Sequence, residues 1–239
     1  MKLPISYGRQ YISDEDIQAV VETLKSDYLT CGPKIPEFEQ AFCEYVNAKY
    51  SVAVCNATAA LHIAAMALGV KPGDNVICTP MTFASSANCI RFCGGNVKFV
   101  DINLQTYLLD IEKLKETLAA SPKGTYKGMV LVDFAGYPHN MEEYRKIADE
   151  YGMWILEDAC HAPGAYFIDS TGEKVYCGCG KYSDITVFSF HPVKHITTGE
   201  GGMACTQNKE YYEKMALYRT HGITHDADKL QRQDGLLYY

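Results

Sequence analysis

The lysine at position 194 stands between two unlike segments of the sequence. Residues 184–190, DITVFSF, are rich in β-branched and aromatic residues, a composition typical of a strand. The glycines at positions 199, 201 and 202 predict a turn after the lysine. Burial and nearby cations at such a junction would lower the pKa of an amine and make it nucleophilic toward a carbonyl carbon. The alternative is an ordinary surface lysine on a loop, and this stretch alone favours that alternative.

A second candidate site lies at residues 56–58, Asn-Ala-Thr, between a short apolar run and an Ala-rich segment. At a strand-to-helix junction, free backbone N–H groups and the positive end of the helix dipole bind phosphate, and the Thr58 hydroxyl would add a donor. Asn or Thr is equally typical of a helix N-cap, so both interpretations stay open. The sequence has no GxGxxG and no GxxxxGK[ST] motif, which argues against dinucleotide and P-loop sites.

Two carboxylates and a histidine follow another predicted strand in LEDACHAPG, residues 156–164. A carboxylate at a buried strand end, such as Glu157 or Asp158, needs a cation or hydrogen-bond donors to stay ionised. A protonated pyridine nitrogen would be such a cation. The alternative is a capping aspartate beside a histidine, His161, that takes part only in packing.

Two further strand ends contribute an aromatic ring and a glycine. Phe83, at the end of TPMTF, is placed to stack on a flat ring, although most such phenylalanines simply fill a core. Gly136, at the end of VDFAG, predicts a turn.

The histidines and cysteines give no metal prediction. His191 and His195 are four residues apart, but Pro192 replaces the glutamate of an HExxH motif. The ten cysteines show no paired zinc spacing, and 239 residues with 47% hydrophobic composition make a chain too long and core-rich for a disulfide scaffold. We therefore expect reduced thiols in the cytoplasm. The net charge of −7 argues against nucleic acid or an anionic membrane surface as main partner.

The elements that must position these residues alternate along the chain. Apolar runs of Val, Ile and Leu are followed by helical patterns, which predicts an α/β fold with a mostly parallel sheet between two helix layers. We predict strands at residues 51–55, 75–78, 97–100, 128–133, 154–156, 184–190 and 202–206, and helices at residues 13–26, 36–46, 59–68, 83–93, 110–120, 142–151 and 209–219. Ligands of such sheets bind beyond the carboxyl ends of the strands, where the candidate residues lie.

Together the four junctions meet the requirements of pyridoxal 5′-phosphate. Its aldehyde requires a lysine, its phosphate a helix N-terminus and its ring an apolar face. Its pyridine nitrogen requires a carboxylate that keeps it protonated, so that the ring can act as an electron sink. The combination favours the functional interpretation at each junction over the alternative that the junction favours alone.

The motifs resemble those of the DegT/DnrJ/EryC1/StrS sugar aminotransferases, which have the aspartate aminotransferase fold (fold type I). The resemblance runs through ISYGRQYISDEDI, YLTCGPKIPEFE, NATAALH, TPMTFASSANC, LEDACHA, SFHPVKHITTGEGGMA and RTHGIT, essentially the whole chain. Within the family, YGRQ and YSDITVFSFHPVKHITTGEGG are most similar to members of the pseudaminic acid pathway. This implies transfer of an amino group from L-glutamate to C4 of a UDP-linked 4-keto-6-deoxy-N-acetyl sugar by a homodimer.

The resemblance also implies a role for each matching residue. Lys194 would bind the cofactor aldehyde and later move a proton at the sugar carbon, Asp158 would pair with the pyridine nitrogen, and His161 would lie against the ring or its 3-oxygen. The remaining predicted contacts are Phe83 on the ring face, Ala57, Thr58 and Ser189 at the phosphate, and Tyr7, Leu29 and Thr30 near the substrate. Asn56 stands where relatives often have serine.

The domain prediction also follows from the resemblance. Residues 1–239 would form the cofactor-binding large domain, with residues 1–30 as an N-terminal segment and residues 222–239 as a polar tail leading to a C-terminal small domain that is absent. We therefore expect a fragment, with or without activity of its own. The alternatives are an aminotransferase for a dTDP-linked 3- or 4-keto sugar, or a non-catalytic remnant of the fold. Lys194 argues against a dehydratase of the same fold, which usually has histidine there.

Overall fold

A computed structural model describes residues 8–224, and within them the chain forms seven helices and nine strands. The helices are α1 (Asp14–Lys25), α2 (Lys34–Val46), α3 (Ala57–Ala67), α4 (Ser85–Phe92), α5 (Ile111–Ala119), α6 (Met141–Tyr151) and α7 (Lys209–Arg219). The strands are β1 (Tyr50–Val54), β2 (Asn75–Cys78), β3 (Asn96–Phe99), β4 (Tyr126–Val132), β5 (Trp154–Asp158), β6 (Tyr166–Ile168), β7 (Lys174–Tyr176), β8 (Ile185–Ser189) and β9 (Gly202–Thr206). A 3₁₀ turn, Phe134–Gly136, follows β4.

Seven strands form one sheet in the order β1-β9-β8-β5-β4-β2-β3. The strands β8, β5, β4, β2 and β3 are parallel, whereas β9 runs antiparallel to both of its neighbours. The short strands β6 and β7 form a separate antiparallel hairpin. The predicted α/β class, with a mostly parallel sheet and helices on both faces, is confirmed.

Alternate residues of the central strands pack against opposite helix layers. Val130 and Leu156 belong to the apolar cluster that includes α3 and α4, whereas Met129 and Ile155 belong to the cluster of α5 and α6. Burial on both faces explains why these strands are uninterrupted apolar runs. A third cluster, in which Phe42 of α2 packs edge-to-face on Phe188, covers β8 and β9.

The predicted helices and main-sheet strands all occur, and each boundary lies within two residues of the observed one. The β6–β7 hairpin was not predicted, because its three-residue strands are too short and too exposed to produce a hydrophobic pattern. The antiparallel direction of β9 was not predicted either, since a strand buried on both faces reads the same in either direction.

Helix α1 has the predicted apolar stripe, but the stripe is not covered. Ile17, Val20 and Leu24 are all exposed, and α1 has no buried residue. The first seven residues of the predicted 1–30 segment, and most of the predicted 222–239 tail, lie outside the described residues. Among the described residues, no helix is both long enough and apolar enough to cross a membrane.

Candidate active site

A pocket of about 590 Å³ opens at the carboxyl ends of β4, β5 and β8. Seven of the residues predicted from sequence line it together: Ala57, Thr58, Phe83, Asp158, His161, Ser189 and Lys194. The sheet topology therefore brings into one cavity residues that are up to 137 positions apart in the chain (194 − 57). A separate groove of about 470 Å³, beside the loops after β3 and β4, contains none of the predicted residues.

One wall of the pocket is the N-terminus of α3. Asn56 caps the helix, since its Oδ1 accepts a hydrogen bond from the Ala59 N–H at 2.9 Å. The cap leaves the first-turn positions, Ala57 and Thr58, on the pocket wall, where the positive end of the helix dipole favours an anion. The N-cap and phosphate-cradle interpretations are thus compatible, because different groups of the same turn serve them.

Gly202 of β9 allows this helix end to lie on the sheet. A Cβ atom at position 202 would come within 2.4 Å of the Asn56 carbonyl carbon and 2.6 Å of the Ala57 nitrogen. Any other side chain would push the helix N-terminus away from β9. The close approach places the start of α3 next to Ser189, the last residue of β8, which is buried at the pocket wall.

Asp158 is a fixed acceptor at the base of the pocket. The residue ends β5 and is 4% exposed. Its carboxylate accepts hydrogen bonds from Ser86 Oγ at 2.5 Å and from the Cys160 N–H at 3.2 Å. These donors stabilise the ionised carboxylate and hold its orientation. Ser86 comes from α4, so the carboxylate is held by two separate elements.

His161 is held by the turn after β4. Its Nδ1 accepts a hydrogen bond from the Ala135 N–H at 3.2 Å, and a Cβ on Gly136 would approach the His161 carbonyl oxygen to 2.8 Å. Burial, and then the charge of Lys194, lower the pKa of His161. The ring is therefore neutral near pH 7 and carries its proton on Nε2. Gly136 has a φ of 83°, as the predicted turn requires.

Lys194 lies between two cavities. It lines the main pocket and also a smaller one of about 250 Å³, together with His161 and His195. The side chain is neither fully buried nor fully exposed, which is intermediate between a desolvated amine and the alternative of a surface lysine. Lys194 is thus reachable from two sides, whereas Asp158 is a lining residue of the main pocket alone.

Two aromatic rings stand over the pocket. Phe83 is 74% exposed, so its ring is available to a ligand and is not part of the core. Phe134 lies 6.2 Å from the His161 ring, in an edge-to-face arrangement, and lines both cavities. Sequence reasoning missed Phe134 and Ser86. Phe134 stands inside the VDFAG junction and could have been found there. Ser86 gave no signal, because it is the second residue of a helix and belongs to no recognisable motif.

Two of the predicted substrate residues, Leu29 and Thr30, do not line this pocket. Leu29 is 68% exposed, Thr30 is exposed as well, and neither lines the cavity in the part of the chain that the structure describes. Tyr7 lies outside the described residues. The contact of these three residues with substrate stays a prediction.

A sequence model of the DegT/DnrJ/EryC1/StrS aminotransferase family matches residues 10–236. The chain belongs to this family.

The chain is similar to several named proteins and solved structures. It is 41% identical, over 220 residues, to the UDP-4-amino-4,6-dideoxy-N-acetyl-beta-L-altrosamine transaminase of Campylobacter jejuni, covering 92% of this chain and 56% of that protein. Helicobacter pylori PseC, an aminotransferase of pseudoaminic acid biosynthesis, superposes with a TM-score of 0.82 at 32% identity, covering 92% of this chain and 56% of PseC. The putative sugar aminotransferase Spr1654 of Streptococcus pneumoniae, in its PMP form, gives a TM-score of 0.84 at 28% identity, covering 99% of this chain and 62% of that one.

The comparisons confirm the resemblance, and pyridoxal phosphate as the cofactor of the family, since Spr1654 is also known in a PLP form. The chain spans little more than half the length of the curated relatives it matches. The pocket suits this cofactor chemically. A helix N-terminus fits a phosphate, the Asp158 carboxylate a pyridinium, Lys194 an aldehyde, and the exposed face of Phe83 a planar ring.

Proposed function

We propose that this protein is a pyridoxal-phosphate-dependent aminotransferase that acts on a nucleotide-linked keto sugar. The observation that carries the proposal is the convergence of Lys194, Asp158 and the α3 N-terminus on one pocket. Each group alone has an ordinary structural explanation, but a primary amine, a carboxylate and an anion-binding helix end in one cavity match three separate parts of a single cofactor.

Each pocket residue would have a separate role toward the cofactor. When bound, pyridoxal phosphate supplies an electron sink that stabilises negative charge on a substrate carbon. Asp158 would keep a proton on the pyridine nitrogen, and its bonds from Ser86 and Cys160 would hold it there. The Lys194 amine would bond to the aldehyde carbon and, once released, move a proton to or from the substrate carbon.

The remaining groups would bind and orient. The N–H groups at the start of α3, with the Thr58 and Ser189 hydroxyls, would hold the phosphate. Phe83 would cover one ring face, and neutral His161, whose Nε2–H can donate, would lie against the ring or its 3-oxygen. Tyr7, Leu29 and Thr30 stay as predicted substrate contacts.

For the substrate, we infer a UDP-linked 4-keto-6-deoxy-N-acetyl sugar, aminated at C4, with L-glutamate as donor. Support comes from the C. jejuni transaminase and H. pylori PseC. Each matches most of this chain, and each is named for an activity of this kind. We also infer a cytoplasmic homodimer. All ten cysteines are free thiols, as expected in a reducing compartment, and the uncovered stripe of α1 is apolar.

Cofactor attachment tests the first proposal. The protein is incubated with pyridoxal phosphate, reduced with borohydride and digested, and the modified peptide is identified by mass spectrometry. We expect modification at Lys194, its loss in Lys194→Ala, and no loss in Lys209→Ala, whose lysine lies on an exposed surface. Modification spread over surface lysines, and unchanged in Lys194→Ala, would contradict the assignment.

The substrate proposal needs a separate experiment on the complete gene product. The amine form of the enzyme is mixed with UDP- and dTDP-linked 4-keto sugars, and the return of the aldehyde-form absorbance is followed. We expect turnover with the UDP sugar and regeneration by L-glutamate. A preference for the dTDP sugar would leave the aminotransferase proposal standing and overturn the substrate.

A further inference from the structure

A cluster of ionisable side chains lies buried beside the pocket and takes no part in the roles above. Asp133 follows β4, Glu157 is in β5 and Cys177 follows β7, and their polar atoms lie within 4.8 Å of one another. All three residues are buried, as is His139. In the part of the chain that the structure describes, no lysine or arginine forms an ion pair with either carboxyl group.

Two full anions cannot be held side by side in such a place. Burial raises the pKa of Asp133 and of Glu157, and the charge of Asp133 raises the pKa of Glu157 further, whereas hydrogen bonding from Glu157 lowers the pKa of Asp133. Within residues 8–224, Asp133 Oδ2 has no hydrogen-bond donor if both groups are ionised. A proton on Glu157 would supply that donor, because oxygen atoms of the two buried carboxyl groups lie within 4.8 Å of each other.

The other contacts assign the proton to Glu157. Asp133 Oδ1 accepts from the His139 N–H at 3.0 Å and contacts His139 Nδ1 at 2.9 Å. Burial lowers the pKa of His139 to about 4, so its ring is neutral and donates from Nδ1. Asp133 is thus surrounded by donors, as an anion requires. Glu157 Oε2 accepts from Ser183 and Thr186, which leaves the other oxygen to carry the proton.

We propose that Asp133 and Glu157 share one proton, and that this bridge positions the turn that holds His161 in the pocket. Asp133 begins the turn whose Ala135 N–H binds His161, and its own N–H donates to the Asp158 carbonyl at 3.1 Å. Glu157 precedes Asp158 in β5. The bridge therefore joins the end of β4, whose turn binds His161, to β5, whose last residue is Asp158. Asp133 and Glu157 are positioning residues, since they line no part of the pocket.

The titratable groups around the bridge come from four segments. They are His139 after β4, Asp158 in β5, Cys177 and Cys179 after β7, and Cys205 in β9. Burial raises the pKa of each of these thiols, and burial keeps the imidazole neutral. The neighbouring Asp158 raises the pKa of Asp133 and so favours retention of the proton.

The sign of the pH dependence follows from the raised pKa. Glu157 binds its proton in the folded chain up to about pH 8, against a value of 4.5 for an unburied glutamate. Between these values the folded state holds a proton that the unfolded state has lost. The stabilisation is complete below the lower value and is lost as the pH rises toward the upper one.

Urea unfolding across this range tests the proposal. Glu157→Gln keeps an N–H donor for Asp133 and cannot ionise, and Glu116→Gln, at an exposed position of α5, is the matched control. We expect the ratio of the wild-type to the Glu157→Gln folding constant to fall by up to about tenfold per pH unit between roughly pH 5 and 8. The ratio of wild type to Glu116→Gln should stay flat. A flat ratio for Glu157→Gln would overturn the proposal.

A second measurement needs no variant. Infrared spectra of the wild-type chain should show a buried protonated carboxyl band at pH 7 that disappears above pH 8 to 9. Absence of the band would overturn the proposal. One equivalent of tightly bound divalent metal in the purified protein would also overturn it. A metal ion held by these carboxylate and thiolate groups would take the place of the proton.

The effect of the bridge on the pocket rests on the proposed function, and it is measured separately as the affinity for pyridoxal phosphate. In the wild type, the affinity for pyridoxal phosphate should fall as the bridge loses its proton, whereas Glu157→Gln should keep its affinity. A chain that binds no cofactor would contradict the proposed function and leave the unfolding and infrared results to decide the bridge. A bound cofactor whose affinity changes equally in both proteins would overturn only the positioning role.

Discussion

Glu157 and Asp158 are consecutive residues of one strand, yet they occupy opposite environments. Asp158 faces the pocket and accepts hydrogen bonds from a serine hydroxyl and a backbone N–H, beside Lys194. Glu157 points the other way, into a buried cluster whose second carboxyl is Asp133. The alternation of side chains along β5 separates the two.

The difference shows that the surroundings of a carboxyl group set its role. On the pocket side, donors hold a single charged group where a ligand can reach it. On the buried side, burial and the presence of a second acid favour the protonated form of Glu157. The comparison predicts that pocket-side substitutions change ligand binding and chemistry, whereas those on the buried side change the pH dependence of folding.

The largest expected effect is that of Asp158→Asn. An amide cannot keep a pyridine nitrogen protonated, so aminotransferase activity of the complete protein should fall by roughly 10²- to 10⁴-fold, the range of proton-transfer contributions. The activity should fall while the thermal midpoint of unfolding stays nearly unchanged, because the amide oxygen can still accept the hydrogen bond from Ser86. Asp149→Asn, on the exposed side of α6, is the control and should change neither. A small loss of activity in Asp158→Asn would break the assignment of Asp158 to the pocket chemistry.

Gly202→Ala tests the pocket wall itself. A methyl group would meet the backbone of Asn56 and Ala57 at 2.4 to 2.6 Å, and backbone cannot move aside as a flexible side chain can. We expect a loss of about 1–3 kcal/mol in the free energy of unfolding, as for overpacked positions, together with weaker phosphate binding. Gly8→Ala, where nothing lies within 4 Å, is the control for urea unfolding and should be neutral. Equal stability of the two variants would show that the helix end does not depend on Gly202.

Much of this arrangement could be predicted from the sequence, because strands buried on both faces give long apolar runs and ligands of such sheets gather at one edge. The positions of Lys194, Asp158 and Asn56 followed from that rule. The proton bridge did not follow, since whether Glu157 or Asp158 faces the pocket depends on strand register. Ser86 was not predictable, because a serine inside a helix has no pattern that tells which strand end it meets.

Ser86→Ala tests how much the orientation of the Asp158 carboxylate matters, as distinct from its presence. The variant keeps the Asp158 charge and loses one of its donors, so we expect a loss of about 1–2 kcal/mol, or roughly a five- to thirtyfold weaker cofactor affinity. The ultraviolet–visible titration that measures this should show an unchanged spectrum at saturation. Ser121→Ala, at the end of α5, is the control. Full affinity in Ser86→Ala would mean that the Cys160 N–H alone fixes Asp158.

The smallest effect is expected at Phe83, and the buried Phe188 is its reference. Phe188 is buried in the cluster under α2, and its replacement by alanine should cost about 3–5 kcal/mol of stability. Phe83 is largely exposed at the pocket, so Phe83→Ala should leave the unfolding free energy of the cofactor-free chain nearly unchanged. The same variant should weaken pyridoxal phosphate binding by about 0.5–1.5 kcal/mol, the contribution of one aromatic pair, and Phe83→Tyr should restore it. A Phe83→Ala variant that loses stability and keeps its affinity would show that this ring stabilises the fold and does not bind the cofactor.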